Sequence, residues 1–145
     1  MHVFRALTVA AAVAVTGVSG GLAWAQTAPA PAADPAVGVV GSFYRQYVAA
    51  CAAPGAPDTG KMARLRAEYL TVELNRQLAA WERTHHADAV LRAQDCPGGL
   101  VVRQGRRGNG VSEVLVTERF DGGDTVLFVD VRDTDRRIVA LDEEH

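Results

Sequence analysis

The sequence predicts an α+β domain in which N-terminal helices pack on one face of a curved antiparallel sheet of about four strands. Between residue 37 and about residue 95, apolar residues recur at intervals of three and four, as along one face of an amphipathic helix. After the segment "CPGG", short runs rich in Val, Ile, Leu, Phe and Thr alternate with turn residues, as in a β-meander. Because the helices precede the strands, they are expected to share one face of the sheet.

The first 25 residues have the pattern of a secretory signal peptide. Arg5 precedes an apolar run, and the small-x-small triplet Ala23-Trp24-Ala25 marks a cleavage site. An uncleaved membrane anchor is the alternative, but glycines and many alanines make this run only weakly apolar. We therefore expect cleavage after Ala25 and a soluble periplasmic or secreted protein that has no membrane contact once the signal is removed.

The mature chain is expected to consist of a Pro/Ala-rich leader, residues 26–36, and a single domain, residues 37–145, long enough for one hydrophobic core. Loss of Arg5 with the signal leaves 14 Lys and Arg against 17 Asp and Glu. This acidic excess argues against nucleic acid and against anionic lipid as partners. The partner classes that remain are an unidentified small ligand and an envelope protein.

Cys51 and Cys96 are the two cysteines of the chain. An even number of cysteines in an exported protein predicts a disulfide, although two buried free thiols are also compatible with the sequence. A bridge between them would close a loop of about 45 residues, which stabilises a small core by about 3–4 kcal/mol in the chain-entropy model.

Three helices and a further helical turn are predicted. The first helix lies on "VGVVGSFYRQYVAAC", and the helical pattern that follows is interrupted at Thr71, which can cap a new helix with Glu73 in its first turn. The further turn is expected over "ADAVLRAQD", with Asp88 as a possible cap. The apolar positions on these helices are Val40, Phe43, Tyr44, Tyr47, Val48, Cys51, Leu65, Tyr69, Leu70, Leu74, Leu78 and Trp81.

The second half contains four predicted strands, "LVVR", "GVSEVLVTERF", "DTVLFVDVRD" and "RRIVALDE". The spacers "QGRRGN", "DGG" and "DTD" have the composition of turns. On the third strand, Leu127, Val129 and Val131 share the expected core face, whereas Val126 and Phe128 lie on the other face.

Several segments resemble domain of unknown function 3828, a family of small exported bacterial proteins. They are, in chain order, "SFYRQYV", "YLTVELNRQL" and "DAVLRAQD", and the resemblance extends over most of residues 37–145. It implies a cystatin-like, nuclear-transport-factor-2-like fold of helices cradled by a bent antiparallel sheet, and it implies no particular activity. The matching residues are Phe43, Tyr44 and Tyr47 on the first helix and Asp88, Leu91, Gln94 and Asp95 in the pattern "D..L.AQD".

The chain departs from the family pattern at two places. Arg136-Arg137-Ile138 stands where Trp-x-Ile is usual, which leaves the packing of the closing strand open. Cys96 stands where an aromatic residue often follows Ala-Gln-Asp, which suggests that the disulfide replaces an aromatic plug.

His85 and His86 are the first candidates for a metal site. Adjacent side chains on a helix point about 100° apart, so two neighbouring histidines do not hold one ion together. His85 and Asp88 could supply two ligands, but zinc needs three or four, and the other histidine of the mature chain is His145. The sequence therefore predicts no bound metal, and it indicates no cofactor.

The sequence contains no clear catalytic motif, and we assign no catalytic residue. Neither Ser42 nor Ser112 lies in a Gly-x-Ser-x-Gly elbow, and the cysteines are expected to be bonded to each other. Asp88 and Asp95 could form a carboxylate pair for acid/base chemistry, but capping of local turns explains both. Gln94 is expected to satisfy a neighbouring backbone group.

The segment "RQGRRGNG", Arg103 to Gly110, places three arginines on a predicted flexible hairpin loop. Such arginines suit a phosphate or an acidic partner. Glu113 and Glu118 close by, together with the acidic net charge, favour a solvated loop instead.

Tyr44 and Tyr47 are the candidate ligand-binding residues. The mature chain has few aromatic side chains to fill the mouth of a bent sheet, and tyrosines combine an apolar ring with a hydrogen-bonding tip. Ordinary core tyrosines with satisfied hydroxyl groups are the alternative. We therefore expect an exported binding or accessory protein; the alternatives are an inhibitor or immunity-type partner of an envelope enzyme, and a small hydrolase or isomerase.

Overall fold

The computed structural model describes residues 32–143, so the predicted signal peptide, most of the leader and His145 lie outside the described residues. The described chain contains three helices, α1 (Pro35–Cys51), α2 (Thr59–Tyr69) and α3 (Val72–His85). Four strands follow, β1 (Gly99–Gly108), β2 (Val111–Phe120), β3 (Gly123–Arg132) and β4 (Ile138–Glu143). The strands form an open antiparallel sheet in the order β1-β2-β3-β4 against which the helices pack, so the α+β prediction is confirmed.

α1 begins two residues before the expected start of the domain at Val37. The Asp34 side chain accepts a hydrogen bond from the Ala36 amide at 2.8 Å. Pro35 lies in the first turn, where its missing N–H has no intrahelical partner to lose. The end of the Pro/Ala-rich segment therefore belongs to the helix. None of the helices within residues 32–143 is long and apolar enough to span a bilayer.

α2 and α3 are separate helices because the backbone becomes extended at Leu70. The predicted cap is confirmed, since the Thr71 hydroxyl accepts a hydrogen bond from the first turn of α3 at 3.3 Å. The Thr71 amide donates to the Ile138 carbonyl at 3.0 Å, and the Arg137 guanidinium donates to the Ala67 carbonyl at 2.9 Å. Arg137 and the fully buried Ile138 thus attach the junction of α2 and α3 to β4, so the closing strand is packed although it has Arg136 and Arg137 before Ile138.

The segment after α3, residues 86–95, is a non-helical turn instead of the expected helical one. We call it the 86–95 turn. The Asp88 amide donates to the Ala93 carbonyl at 2.9 Å in an isolated antiparallel bridge. His86 and Arg92 have φ angles of 54° and 51°, in the left-handed region that interrupts a right-handed helix.

The predicted disulfide is confirmed. Cys51, the last residue of α1, is bonded to Cys96, and their Cα atoms are 5.9 Å apart. The bridge leaves no free cysteine within residues 32–143. It joins the end of α1 to the segment that links the 86–95 turn to β1.

The hydrophobic core lies between the helices and the inner face of the sheet. On β3, alternate residues point inward, and the predicted core positions are confirmed as buried. Val126 and Phe128 on the opposite face are half-buried. Each large apolar side chain that is fully buried contributes about 1.5–3 kcal/mol to folding. The largest buried apolar side chains are Phe43, Tyr44, Tyr47, Leu91, Leu127 and Ile138.

β1 is longer than predicted, whereas β2 matches its predicted segment to within one residue, and the two strands are joined by only Asn109 and Gly110. Their φ angles of 54° and 75° are those that a two-residue Asn-Gly hairpin turn requires. Arg106 and Arg107 therefore lie on a strand and not on a flexible loop. Arg106 pairs with Glu113 at 3.2 Å, and Arg107 lies 3.7 Å from each of two aspartates. Neighbouring carboxylates thus already balance these arginines.

Candidate functional site

An open cleft lies between the three helices and the 86–95 turn. Its volume is about 350 Å³, which is large enough for a small organic molecule. The cleft is on the helical side of the domain, whereas the sequence placed the expected pocket in the mouth of the sheet. Its polar side chains are Tyr47, Thr59, Arg66, Asn75, Glu82 and Asp88, and its apolar side chains are Met62, Ala63 and Ala79.

Asp88 is held in the cleft by the turn that it caps. Its Oδ1 accepts hydrogen bonds from the amides of Val90 at 2.8 Å and Leu91 at 3.0 Å. Its Oδ2 accepts a hydrogen bond from the Tyr47 hydroxyl at 2.8 Å. The structure thus places Asp88 and Tyr47 in direct contact and fixes the orientation of the carboxylate.

Tyr47 reaches the cleft from α1, and its ring packs on Phe43 with the ring centroids 5.3 Å apart. Burial raises the pKa of the Tyr47 hydroxyl far above its usual value, and the charge and hydrogen bond of Asp88 raise this pKa further. The hydroxyl therefore stays protonated at neutral pH. It acts as a hydrogen-bond donor to Asp88 and not as a base.

Arg66 joins α2 to α3 at the cleft. Its Nη1 lies 2.6 Å from Glu82 Oε1, and its Nε donates to Asn75 Oδ1 at 2.8 Å. Burial lowers the pKa of Arg66, but the hydrogen bond and the charge of Glu82 outweigh burial, so that the pKa is raised overall. Glu82 Oε1 also accepts a hydrogen bond from the Ala89 amide at 3.2 Å. The Arg66–Glu82 pair thus ties both helices to the 86–95 turn.

Tyr44 does not line the cleft. Its ring is fully buried edge-on against Phe43, with centroids 5.3 Å apart, and its hydroxyl donates to the Val90 carbonyl at 3.2 Å. Burial raises the pKa of this hydroxyl well above its usual value, and the charges of Glu118 and Asp88 raise it further. Both candidate tyrosines thus have hydrogen-bonded hydroxyl groups, and Tyr47 lines the cleft whereas Tyr44 does not.

Replacing either tyrosine by Phe removes one hydrogen bond and separates the two roles. We expect Tyr44→Phe to lower the free energy of unfolding by about 1 kcal/mol, because it leaves the buried Val90 carbonyl without this donor. We expect Tyr47→Phe, but not Tyr44→Phe, to change ligand binding in the cleft, because it frees Asp88 Oδ2. Urea denaturation and a binding titration of both variants check this; a binding change confined to Tyr44→Phe would oppose it.

Similarity to known proteins is limited to the fold. No family model and no curated protein matches the chain. A crystal structure of a protein of unknown function from Bacteroides thetaiotaomicron is similar, with a TM-score of 0.61 and 22% sequence identity. The match covers 74% of this chain and 88% of that chain. At this identity the likeness extends to the arrangement of helices and strands and to nothing finer.

The other residues of the "D..L.AQD" pattern lie outside the cleft lining. Gln94 is exposed, and its Nε2 donates to the His86 carbonyl at 3.4 Å, which is the backbone contact the sequence suggested. Asp95 is exposed, and its carboxylate accepts no hydrogen bond within residues 32–143, so the expectation that it caps a local turn is wrong. Because the turn is not helical, Asp88 and Asp95 do not share a helix face.

His85 and His86 have separate local roles at the end of α3. The ring of His85 stacks on Trp81 with centroids 4.0 Å apart, and its Nδ1 donates to the Trp81 carbonyl at 2.9 Å. His86 terminates the helix in a left-handed conformation. Within residues 32–143 no group of three or more His, Cys, Asp or Glu side chains is arranged to hold a metal ion. The metal-free state stays a prediction that elemental analysis can check.

Sequence reasoning did not find Arg66, Asn75 and Glu82. A signal was present, because Asn75, Ala79 and Glu82 recur at i, i+4 and i+7 and so lie on one face of α3. A polar helix face is usually exposed to solvent. This face of α3 borders a cleft because α2 and the 86–95 turn pack beside it.

Proposed function

We propose that the chain is a small exported binding protein whose ligand site is the cleft between the three helices and the 86–95 turn. The observation that carries this proposal is a cavity of about 350 Å³ whose polar side chains are already fixed by hydrogen bonds. Convergent polar groups beside an apolar wall are typical of small-molecule sites. Because these side chains are ordered before binding, little conformational entropy is lost when a ligand enters.

Binding accounts for the cleft better than catalysis does. The Asp88 carboxylate accepts three hydrogen bonds, and Arg66 and Glu82 neutralise each other. The Tyr47 hydroxyl keeps its proton because burial raises its pKa. These groups orient and hold a ligand, and none of them is a free base or nucleophile.

The proposal includes export and membership of the domain of unknown function 3828 family. A Cys51–Cys96 disulfide is compatible with an oxidising compartment, and the signal-like residues 1–25 supply a route to it. The family-like segment "DAVLRAQD" forms most of the 86–95 turn that borders the cleft. The mature chain is then expected to begin at Gln26, which its intact mass in an envelope fraction would reveal.

An inhibitor or immunity-type partner of an envelope enzyme is the second candidate function. It is favoured by the sheet face opposite the helices, where Leu115 and Phe128 are paired across β2 and β3. In the same row Arg103 on β1 and Asp142 on β4 flank these two apolar residues. An apolar centre with charged edges has the composition of a protein interface.

An NMR-mapped fragment screen tests the proposed site. Small amphiphilic fragments are added to the 15N-labelled chain, and the backbone amide shifts are followed. We expect the fragments that bind to shift the amides of Tyr47, Arg66, Glu82 and Asp88 together. Shifts confined to β2 and β3 would favour the protein-partner candidate, and the absence of any cleft-directed fragment would contradict the proposed function.

A further inference from the structure

We infer that the cleft selects small ligands in which a cationic group, such as a primary ammonium, is attached to a compact apolar body. This inference rests on the proposed binding function and names the class of ligand. The groups that carry it are the carboxylate of Asp88, the Tyr47 hydroxyl and the apolar wall of Met62, Ala63 and Ala79.

The charges of the cleft do not balance. Arg66 forms an ion pair with Glu82 at 2.6 Å and donates a hydrogen bond to Asn75. Asp88 takes part in none of the ion pairs formed within residues 32–143. The lining of the cleft therefore holds one carboxylate more than it holds cations, and the unbalanced charge is that of Asp88. A cationic ligand would supply the missing counter-charge, whereas an anionic ligand would be repelled.

The hydrogen-bonding capacity of Asp88 also indicates a cationic ligand. A carboxylate offers about four lone-pair positions. Two positions on Oδ1 are occupied by backbone amides and one on Oδ2 by the Tyr47 hydroxyl, and all three donors are neutral. One position on Oδ2 remains for a ligand, whereas the Tyr47 oxygen already lies close to the Arg66 guanidinium. An ammonium group, which carries three donors and no acceptor, suits this negatively charged acceptor.

The rest of the lining explains why the ligand should have an apolar body. Met62 and Ala63 on α2 face Ala79 on α3, and these side chains leave space between the helices because two of them are alanines. Methionine adapts its shape to different apolar groups. A short alkyl or aromatic body would therefore bury its surface here while its cationic end contacts Asp88.

The charge of Asp88 also affects the pKa of Glu118 in the core. Burial raises the pKa of Glu118 to about 8, with Asp88 as the next cause and Glu143 as the last. Tyr44 on α1 is also close to Glu118, and Tyr44 in turn is near Arg92 of the 86–95 turn. A cation bound at Asp88 offsets one of these contributions, so ligand binding should lower the pKa of Glu118. This gives a readout inside the protein that is independent of shifts at the cleft.

Three probes that share a phenylethyl body and carry a cationic, a neutral and an anionic head group test the inference: 2-phenylethylammonium, 2-phenylethanol and 3-phenylpropanoate. Each is titrated into the 15N-labelled chain. We expect the ammonium to bind about tenfold or more tightly than the alcohol, and the carboxylate to bind least. Equal or tighter cleft binding of the alcohol or the carboxylate would overturn the inference and leave the proposed function standing. Failure of all three probes, together with an empty fragment screen, would overturn both.

Asp88→Asn provides the matched variant. Its side-chain oxygen can still accept the two turn amides, and its NH2 group can donate to the Tyr47 oxygen, so the turn is retained while the charge is lost. We expect Asp88→Asn to lose the preference for the ammonium probe, so that the ammonium and 2-phenylethanol bind with similar affinity. Asp124→Asn removes an exposed carboxylate on β3 and should leave all three affinities unchanged. An ammonium preference that survives in Asp88→Asn would contradict the assignment, and the probe series on the unsubstituted chain decides the matter if the variant does not fold.

Discussion

Replacing both Cys51 and Cys96 by Ala is expected to lower the free energy of unfolding by about 2–4 kcal/mol. The bridge closes a loop of 45 residues, so its loss returns a large amount of conformational freedom to the unfolded chain. The effect should be large for this protein because one small core supplies most of its remaining stability. Urea denaturation of the oxidised chain and of the double variant measures the difference.

The disulfide also bears on the cleft, because Cys96 directly follows the 86–95 turn. We expect the double variant to bind cleft ligands more weakly than the oxidised chain at a temperature where both are folded. Adding a reductant to the unsubstituted chain should reproduce the loss of stability and should leave the double variant unchanged. Equal stability of the two proteins under oxidising conditions would contradict this account.

The second large effect concerns Glu118, which lies on the inner face of β2 and is fully buried. From the sequence, Glu118 is expected to lie beside a solvated arginine loop. In the structure Glu118 lies near the C-terminal end of β2, away from the Asn109-Gly110 turn. Neither of its carboxyl oxygens has a hydrogen-bond partner within the described residues. Burial, and then the charges of Asp88 and Glu143, raise its pKa to about 8 from an ordinary value of 4.5. The folded protein therefore holds Glu118 as a neutral acid at pH 7.

Stability should fall as the pH rises from 4.5 to 8. Below pH 4.5 the carboxyl is protonated in both the folded and the unfolded state, so it favours neither. Between these values the unfolded chain releases the proton and the folded chain keeps it, so each step in pH favours unfolding. Above pH 8 both states are ionised and the loss is complete. The total loss is on the order of 5 kcal/mol.

Glu118→Gln removes this titration while it keeps the size and shape of the side chain. We expect the variant to be more stable than the unsubstituted chain at pH 8, with a difference that shrinks toward pH 4.5. Asp124→Asn, which removes an exposed carboxylate, should keep the original pH dependence. Denaturation curves at several pH values check both. Parallel pH profiles for Glu118→Gln and the unsubstituted chain would show that the Glu118 pKa is not raised.

Much of the fold follows from local sequence patterns, because the responsible interactions are close along the chain. The stripe on α1, the Thr71 cap and the alternation on β3 each depend on residues a few positions apart. The disulfide could be predicted because the chain has only two cysteines. In the helix and strand patterns, the interacting residues lie within one short segment. For the disulfide, each cysteine has only one possible bonding partner.

The 86–95 turn could not be predicted because contacts distant in sequence determine it. Its residues Ala, Leu, Arg and Gln favour a helix. Instead Arg92 adopts a left-handed conformation in which its guanidinium lies 4.5 Å from the Trp81 ring centroid and donates to the Leu141 carbonyl at 3.0 Å. Asp88 and the nearby disulfide hold the two sides of the turn. The cleft depends on this turn, so its position could not be predicted either.

The central claim is that the cleft is the ligand site. It is tested most directly by measuring ligand affinity in two variants that each place a phenylalanine on α3. Ala79 lines the cleft, whereas the neighbouring Ala80 is exposed and does not. The ligand is the tightest-binding compound from the fragment screen, and unfolding free energies within about 0.5 kcal/mol of each other establish that both variants are intact. We predict that Ala79→Phe weakens binding by about tenfold or more, because its ring fills the space, and that Ala80→Phe binds as the unsubstituted chain does. Equal affinity in the two variants would contradict the claim.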